Sequence, residues 1–154
     1  LRKIIHEKAQ AIDLVELKSE TLRIRERLVK ETATQKNAVD IKFGEGGMLD
    51  VYFAMRFLQL RDNVPDDLEN RSTEFMLRKL FEKGTLNQDN FAAFHNGYNF
   101  LSQLDHALRL TIGRSNVLPN KTELISKRLQ ITNLLEKLTI HRLAIREAFD
   151  NVLS

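Results

Sequence analysis

Three of the six glycines of this chain fall within four residues, Gly44, Gly46 and Gly47, immediately before a strongly apolar run. A Gly-Gly pair opening a helix leaves backbone N–H groups free at its N-terminus, which suits a phosphate or carboxylate, and Lys42 adds a cation from the same loop. The same glycines equally mark a tight turn or a close backbone approach, which spacing alone favours. The segment is not a P-loop, since no Gly-Lys-Ser/Thr follows, nor the Gly-x-Gly-x-x-Gly of a dinucleotide fold. Asp50 lies in the first turn of the expected helix. Its plain role there is to complement the helix dipole; its functional one is to stand beside a nucleotide or a metal supplied elsewhere. Tyr52 and Arg56, four residues apart, share a face and either project together or pack on each other.

Other chemistry is sparse. His6, His95, His106 and His141 are scattered, with no i, i+4 pair for a metal. His106 beside Asp105 reads as a packed or surface residue rather than a general base. No nucleophile elbow accompanies the Ser, His and Asp present, and the absence of Cys excludes thiolate metal sites, disulfides and thiol nucleophiles. The chain alone therefore carries no catalytic residues and no metal site.

Six glycines and two prolines in 154 residues, with abundant Leu, Lys, Glu, Arg and Gln, make the positioning elements helices. An amphipathic helix or broken pair is expected from Ile4 to Val39, with Ile5, Ile12, Val15, Leu22, Leu28 and Val29 inward. Its Arg23, Arg25, Glu26, Arg27, Lys30 and Glu31 read as a solvated, salt-bridged face. Val39 to Phe43 alternates briefly, as a short extended connector. Met48 to Leu60 is apolar all round and reads as a buried central helix ending before Pro65. Asp62 to Asn70 is an acidic loop. Ser72 or Thr73 caps a helix that stops at Gly84, and Asn87 caps a long one whose apolar side runs from Phe91 to Leu110, closed by Gly113 and Pro119. Lys121 to Leu129 forms a short helix, and Thr132 or Asn133 starts the last, through Leu134, Leu135, Leu138, His141, Ile145, Phe149 and Val152.

The expectation is an all-α, antiparallel bundle of about six or seven helices in a single domain, residues 1–154. A net charge of +3 is the remainder of 24 Lys+Arg and 21 Asp+Glu without a basic stripe, which argues against nucleic acid. No run of apolar residues is long enough for a membrane span. A cytoplasmic setting fits this composition. The start Leu1-Arg2-Lys3 lacks an initiator Met, so a piece of a longer protein is expected.

The run from Asp40 to Leu60, Asp-Ile-Lys-Phe-Gly-Glu-Gly-Gly-Met-Leu-Asp-Val-Tyr-Phe-Ala-Met-Arg-Phe-Leu-Gln-Leu, resembles a signature of the glutamine synthetase adenylyltransferase family. That pattern reads Asp-(Ile/Leu)-Lys-x-Gly-x-Gly-Gly-(apolar)-x-Asp-Ile-Glu-Phe-x-x-Gln. Similar steps occur at Ile24 to Arg27, Phe75 to Gly84 with Leu86 and Asp89, Tyr98 to His106, Leu118-Pro119, and His141-Arg142 to Phe149. In that family and the related PII uridylyltransferases, the helical region follows a nucleotidyltransferase domain, covers its nucleotide site and helps to position the protein substrate. The resemblance implies transfer of AMP from ATP to glutamine synthetase, and its phosphorolytic removal, in the full-length enzyme, with Mg²⁺. The partners it implies are the preceding domain, glutamine synthetase and the PII signal protein. It places Lys42, Gly44, Gly46, Gly47 and Asp50 near nucleotide phosphates. The family Glu and Gln are Tyr52 and Arg56 here, and the Arg-rich face around the Asp-His pair becomes Ser102, Gln103 and Ala107. A degenerate, non-catalytic regulatory or protein-interaction domain is the alternative.

Overall fold

Two helix starts set the frame. Ser72 Oγ accepts the Phe75 N–H at 3.2 Å and Asn87 Oδ1 accepts the Asn90 N–H at 2.8 Å, satisfying donors that a first helical turn leaves open. The computed structural model describes residues 6–8, 13–32, 38–113 and 116–154. Its helices are α1 (Leu14–Thr32), α2 (Met48–Arg61), α3 (Thr73–Glu82), α4 (Gln88–Ile112), α5 (Glu123–Leu129) and α6 (Leu134–Leu153); residues 6–8 are helical as well. The all-α bundle is as expected. Among the described residues there is no strand, and no helix is long and apolar enough to cross a membrane.

The alternating stretch is the connector its pattern suggests. Asp40 bridges Val117 antiparallel, with Ile41 N–H on Asn116 O and Leu118 N–H on Val39 O, both at 2.8 Å. This pairing ties the segment before α2 to the one before α5.

The core lies where α2, α4 and α6 meet, around Phe57, Phe94, Leu101, Leu104, Leu108 and Phe149, each at most 1% exposed. α2 is buried nearly all round, as its composition requires. α4 and α6 form the most extensive helix pair and run antiparallel: Asn90 faces Asn151 and Phe100 stacks on His141. Gly97 makes their close approach possible. A Cβ there would lie 2.6 Å from Ile145 Cδ1. Gly97→Ala therefore trades a helix-propensity gain of about 1 kcal/mol against overpacking of about 1–3 kcal/mol. The expected net result is a lower urea midpoint, since both Cδ1 and, at 2.7 Å, Cγ1 of Ile145 would have to move.

Several positions depart from the periodicity. Arg25 is 2% exposed and not part of a solvated face, whereas Arg23–Glu20 and Arg27–Glu31 are surface pairs as read. Val15, Leu110 and Leu135 are more than half exposed despite their apolar type, because among the described residues no element covers those turns of α1, α4 and α6. The short helix begins at Glu123 rather than Lys121, and Asn133 opens α6 in a left-handed conformation without a side-chain cap. Ile5, Ile12 and residues 33–37 lie outside the described residues.

His141 supplies a pH dependence. Its partial burial against Phe100 holds the imidazole below the ordinary histidine pKa. Above the ordinary value both folded and unfolded states are neutral there. As pH falls through it, the unfolded chain takes the proton first and stability declines. The thermal midpoint of the native chain should therefore fall relative to that of His141→Gln between pH 8 and about 5.5.

Candidate functional site

The glycine segment begins with Asp40, whose Oδ1 accepts the N–H groups of Lys42 and Phe43, both at 2.9 Å, and whose carbonyl accepts the Gly44 N–H at 3.1 Å. The chain then folds onto its own helix start. Gly47 N–H donates to Gly44 O at 3.0 Å, Met48 N–H to Ile41 O and Leu49 N–H to Lys42 O, both at 3.0 Å, and Asp50 N–H to Gly47 O at 3.2 Å. Gly46 N–H donates to Asp50 Oδ2 at 2.6 Å. The free donors that the Gly-Gly pair suggests at this helix N-terminus are thus taken by the segment's own carbonyls and by a side chain. The physical reason is that the carbonyls of residues 41, 42 and 44 turn back within hydrogen-bond distance of the amides at the start of α2.

Asp50 is fully buried. Besides Gly46, its carboxylate accepts from Arg25 Nε at 2.5 Å, and Arg146 Nη1 stands 3.6 Å from Oδ2. Arg25 in turn donates through Nη2 to Phe43 O at 2.8 Å and Gly44 O at 2.9 Å. One carboxylate therefore joins α1, the glycine segment, α2 and α6. That is more than dipole complementarity, since a charge removed from water must be paired and hydrogen-bonded to persist.

α6 also seats directly on the segment. Gly46 has φ +69°, and a Cβ on it would lie 2.2 Å from Arg142 O; Arg142 Nε and Nη2 both donate to Glu45 O, at 3.1 and 2.9 Å. Gly44 and Gly47 are equally closed, a Cβ on each meeting backbone oxygens at 2.5 and 2.8 Å. The tight-turn reading describes what these glycines do in this chain.

Lys42 differs from its neighbours. Its ammonium lies 5.5 Å from the Phe43 ring centroid, and among the described residues no carboxylate pairs with it. Tyr52 is 38% exposed with its ring edge-on to Phe53. Arg56 turns away from Tyr52: its Nη1 donates to Gln59 Oε1 at 2.9 Å and reaches Asp66 Oδ1 at 3.4 Å. Buried Gln59 adds donations from Nε2 to Val64 O and Asp66 Oδ1, so the pair fastens the acidic loop to α2. Among the described residues, no three His, Cys, Asp or Glu side chains converge as a metal would need. The histidines stay apart: His6 meets Asn63, His95 meets Glu74, His141 stacks on Phe100, and His106 is exposed.

Sequence reasoning missed Arg25, Arg142, Arg146 and Gln59. Only Gln59 carried a signal, being an uncharged polar amide inside an apolar helix. Nothing local separates Arg25 from Arg23 and Arg27.

The model of the GlnD PII-uridylyltransferase family matches residues 16–153. Three curated relatives share one name, bifunctional glutamine synthetase adenylyltransferase/adenylyl-removing enzyme. The protein from Corynebacterium diphtheriae is 33% identical over 103 residues, 66% of this chain and 10% of the relative. That from Mycolicibacterium smegmatis is 33% identical over 106 residues, 68% and 11%. That from Neisseria meningitidis is 26% identical over 144 residues, 88% and 16%. The chain thus spans about a tenth of the length of the first two. With the match running from α1 through the glycine segment to the end of α6, the chain belongs to the GlnD PII-uridylyltransferase family and has the bifunctional glutamine synthetase adenylyltransferases among its relatives.

Proposed function

We propose that the chain is the helical accessory domain of a glutamine synthetase adenylyltransferase-like nucleotidyltransferase, a segment of a longer cytoplasmic protein, and that it positions the protein substrate without catalysing alone. The observation that carries this reading is the state of the glycine segment. Three helices fix it, the Lys42, Phe43, Gly44, Gly46 and Gly47 amides are bonded within it or to Asp50, and among the described residues no carboxylate pairs with Lys42. A Lys held on a rigid loop suits the polyphosphate of ATP bound by a preceding nucleotidyltransferase domain, where a pre-positioned charge serves better than a mobile one. Gly44, Gly46, Gly47 and Asp50 act at one remove, by holding that loop.

Mg²⁺ does not fit the residues described here. Both Asp50 oxygens are engaged by Arg25 and Gly46, and among the described residues no three His, Cys, Asp or Glu side chains gather into a ligand set. The chain's own contribution is then to hold Lys42, with glutamine synthetase as the protein substrate and the PII signal protein as a regulatory partner.

The test is AMP transfer to glutamine synthetase by the full-length protein. Lys42→Ala should lower kcat/KM about tenfold or more, a loss of roughly 1.4 kcal/mol of transition-state stabilisation, with the thermal midpoint unchanged. Unaltered transfer would remove Lys42 from the site.

One observation favours the alternative, a non-catalytic interaction domain. Arg56, at the family Gln position, is spent on Gln59 and Asp66, while Tyr52, at the family Glu position, faces outward. On that reading the wild-type protein transfers no AMP and Tyr52 contacts a partner.

A further inference from the structure

We propose that Arg142 is a positioning residue for the glycine segment, acting by locking the orientation of the Glu45–Gly46 peptide; the consequence for activity rests on the proposed role of Lys42. The peptide is gripped on both edges. Its carbonyl accepts from Arg142 Nε and Nη2, and its N–H donates to Asp50 Oδ2. In a trans peptide these two groups point to opposite sides, so the two grips oppose rotation of the whole plane.

A lock is needed because of the residue at position 46. Glycine adopts positive and negative φ with similar ease, so local sequence leaves the preceding peptide free to turn over. Reversal would aim the Gly46 N–H away from the buried Asp50 carboxylate and the Glu45 carbonyl towards it. Asp50 alone resists this from the N–H side, and it is shared with Arg25. Arg142 resists it from the other side, and charge-assisted donors are stronger than neutral ones. Its anchorage is firm: its own carbonyl oxygen lies 2.2 Å from where a Cβ of Gly46 would sit, and Arg146, one helical turn on, stands 3.6 Å from the same Asp50. The segment behaves as one hydrogen-bonded unit, since Lys42 O accepts from Leu49 and Lys42 N–H donates to Asp40. α6 therefore sets where Lys42 is presented, through Arg142.

Amide exchange in the chain followed by NMR tests the lock. In Arg142→Met, Gly46 should exchange about tenfold faster or more while Leu101 and Leu104, in the middle of α4, change less than about twofold. Arg142→Lys, which keeps the charge but loses the fork, should be intermediate and serves if the Met variant does not fold. Exchange at Gly46 that is unchanged, or that rises only in step with Leu101, overturns the assignment. In the full-length protein, Arg142→Lys should raise the KM for ATP about threefold or more with a smaller change in kcat. Normal kinetics in Arg142→Lys beside the lowered kcat/KM of Lys42→Ala would overturn the positioning role and leave the Lys42 reading standing. Normal kinetics in Lys42→Ala would instead remove the Lys42 reading, with the exchange at Gly46 still deciding for or against the lock.

Discussion

Gly46→Ala should lower the stability of the chain by about 2–5 kcal/mol, combining a left-handed conformation that costs an L-residue about 1–2 kcal/mol with overpacking of about 1–3 kcal/mol. The second contribution is the unusual one. The new methyl would lie 2.2 Å from Arg142 O and within 2.8 Å of that residue's C and Cα, so relief requires moving the backbone of α6 rather than turning a side chain. Urea denaturation measures it directly, and the thermal midpoint should fall by about 10 °C. Gly84→Ala is the internal control. Gly84 also has a positive φ, +78°, but nothing lies within 4 Å of its Cβ position, so only the conformational cost of about 1–2 kcal/mol applies. Equal losses in the two variants would show that α6 is not seated on the glycine segment.

The second large effect concerns Arg25 and Asp50. Arg25→Met should destabilise the chain by about 3–5 kcal/mol, because it leaves a fully buried carboxylate supported, among the described residues, by Gly46 and, at 3.6 Å, by Arg146. Asp50→Asn should cost a similar amount by leaving the Arg25 guanidinium without its anion. The double variant is expected to lose less than the two single losses combined, by about 1–3 kcal/mol, since the introduced amide oxygen still accepts from Gly46 and neither member of the pair is left as an unpaired buried charge. Strict additivity in that double-mutant cycle would mean that the pair is not coupled. The surface pair Arg27–Glu31, 69% and 53% exposed at its side chains, should cost less than about 1 kcal/mol on the same measurement.

The two effects bear on what could be read from the residues alone. Ser72 and Asn87 as caps, Gly84 and Gly113 as stops, and the all-round apolar α2 are local matters. Cap chemistry, positive φ and hydrophobic periodicity are decided within a turn or two of chain, and the structure follows them closely. The brief alternation at Val39 to Phe43 likewise became a short pairing with residues 116–118. Where periodicity failed, the cause was distant. Arg25 sits among charged residues that face solvent, and only the arrival of Asp50 from α2 and of the Phe43 and Gly44 carbonyls makes its position an interior one.

The glycine segment divides in the same way. Three glycines in four residues before a helix mark backbone that turns tightly or comes very close to something, the two uses to which the absence of a Cβ is put. They could not determine what comes close. The same pattern admits an anion on free helix N–H groups or a packed neighbour, and in this chain the neighbours are the turned-back carbonyls of residues 41, 42 and 44, the Asp50 carboxylate and the backbone of α6 at Arg142. Residue 142 is 96 positions from Gly46, and a contact across that separation leaves no local periodicity to find. The sequence by itself determined the helices, their ends and the family-bearing segment. Local turn geometry satisfied the amides at this helix start; only tertiary packing decided that Arg25 and Arg142 close over the segment's carbonyls and that, among the described residues, no carboxylate pairs with Lys42, because those groups come from distant helices.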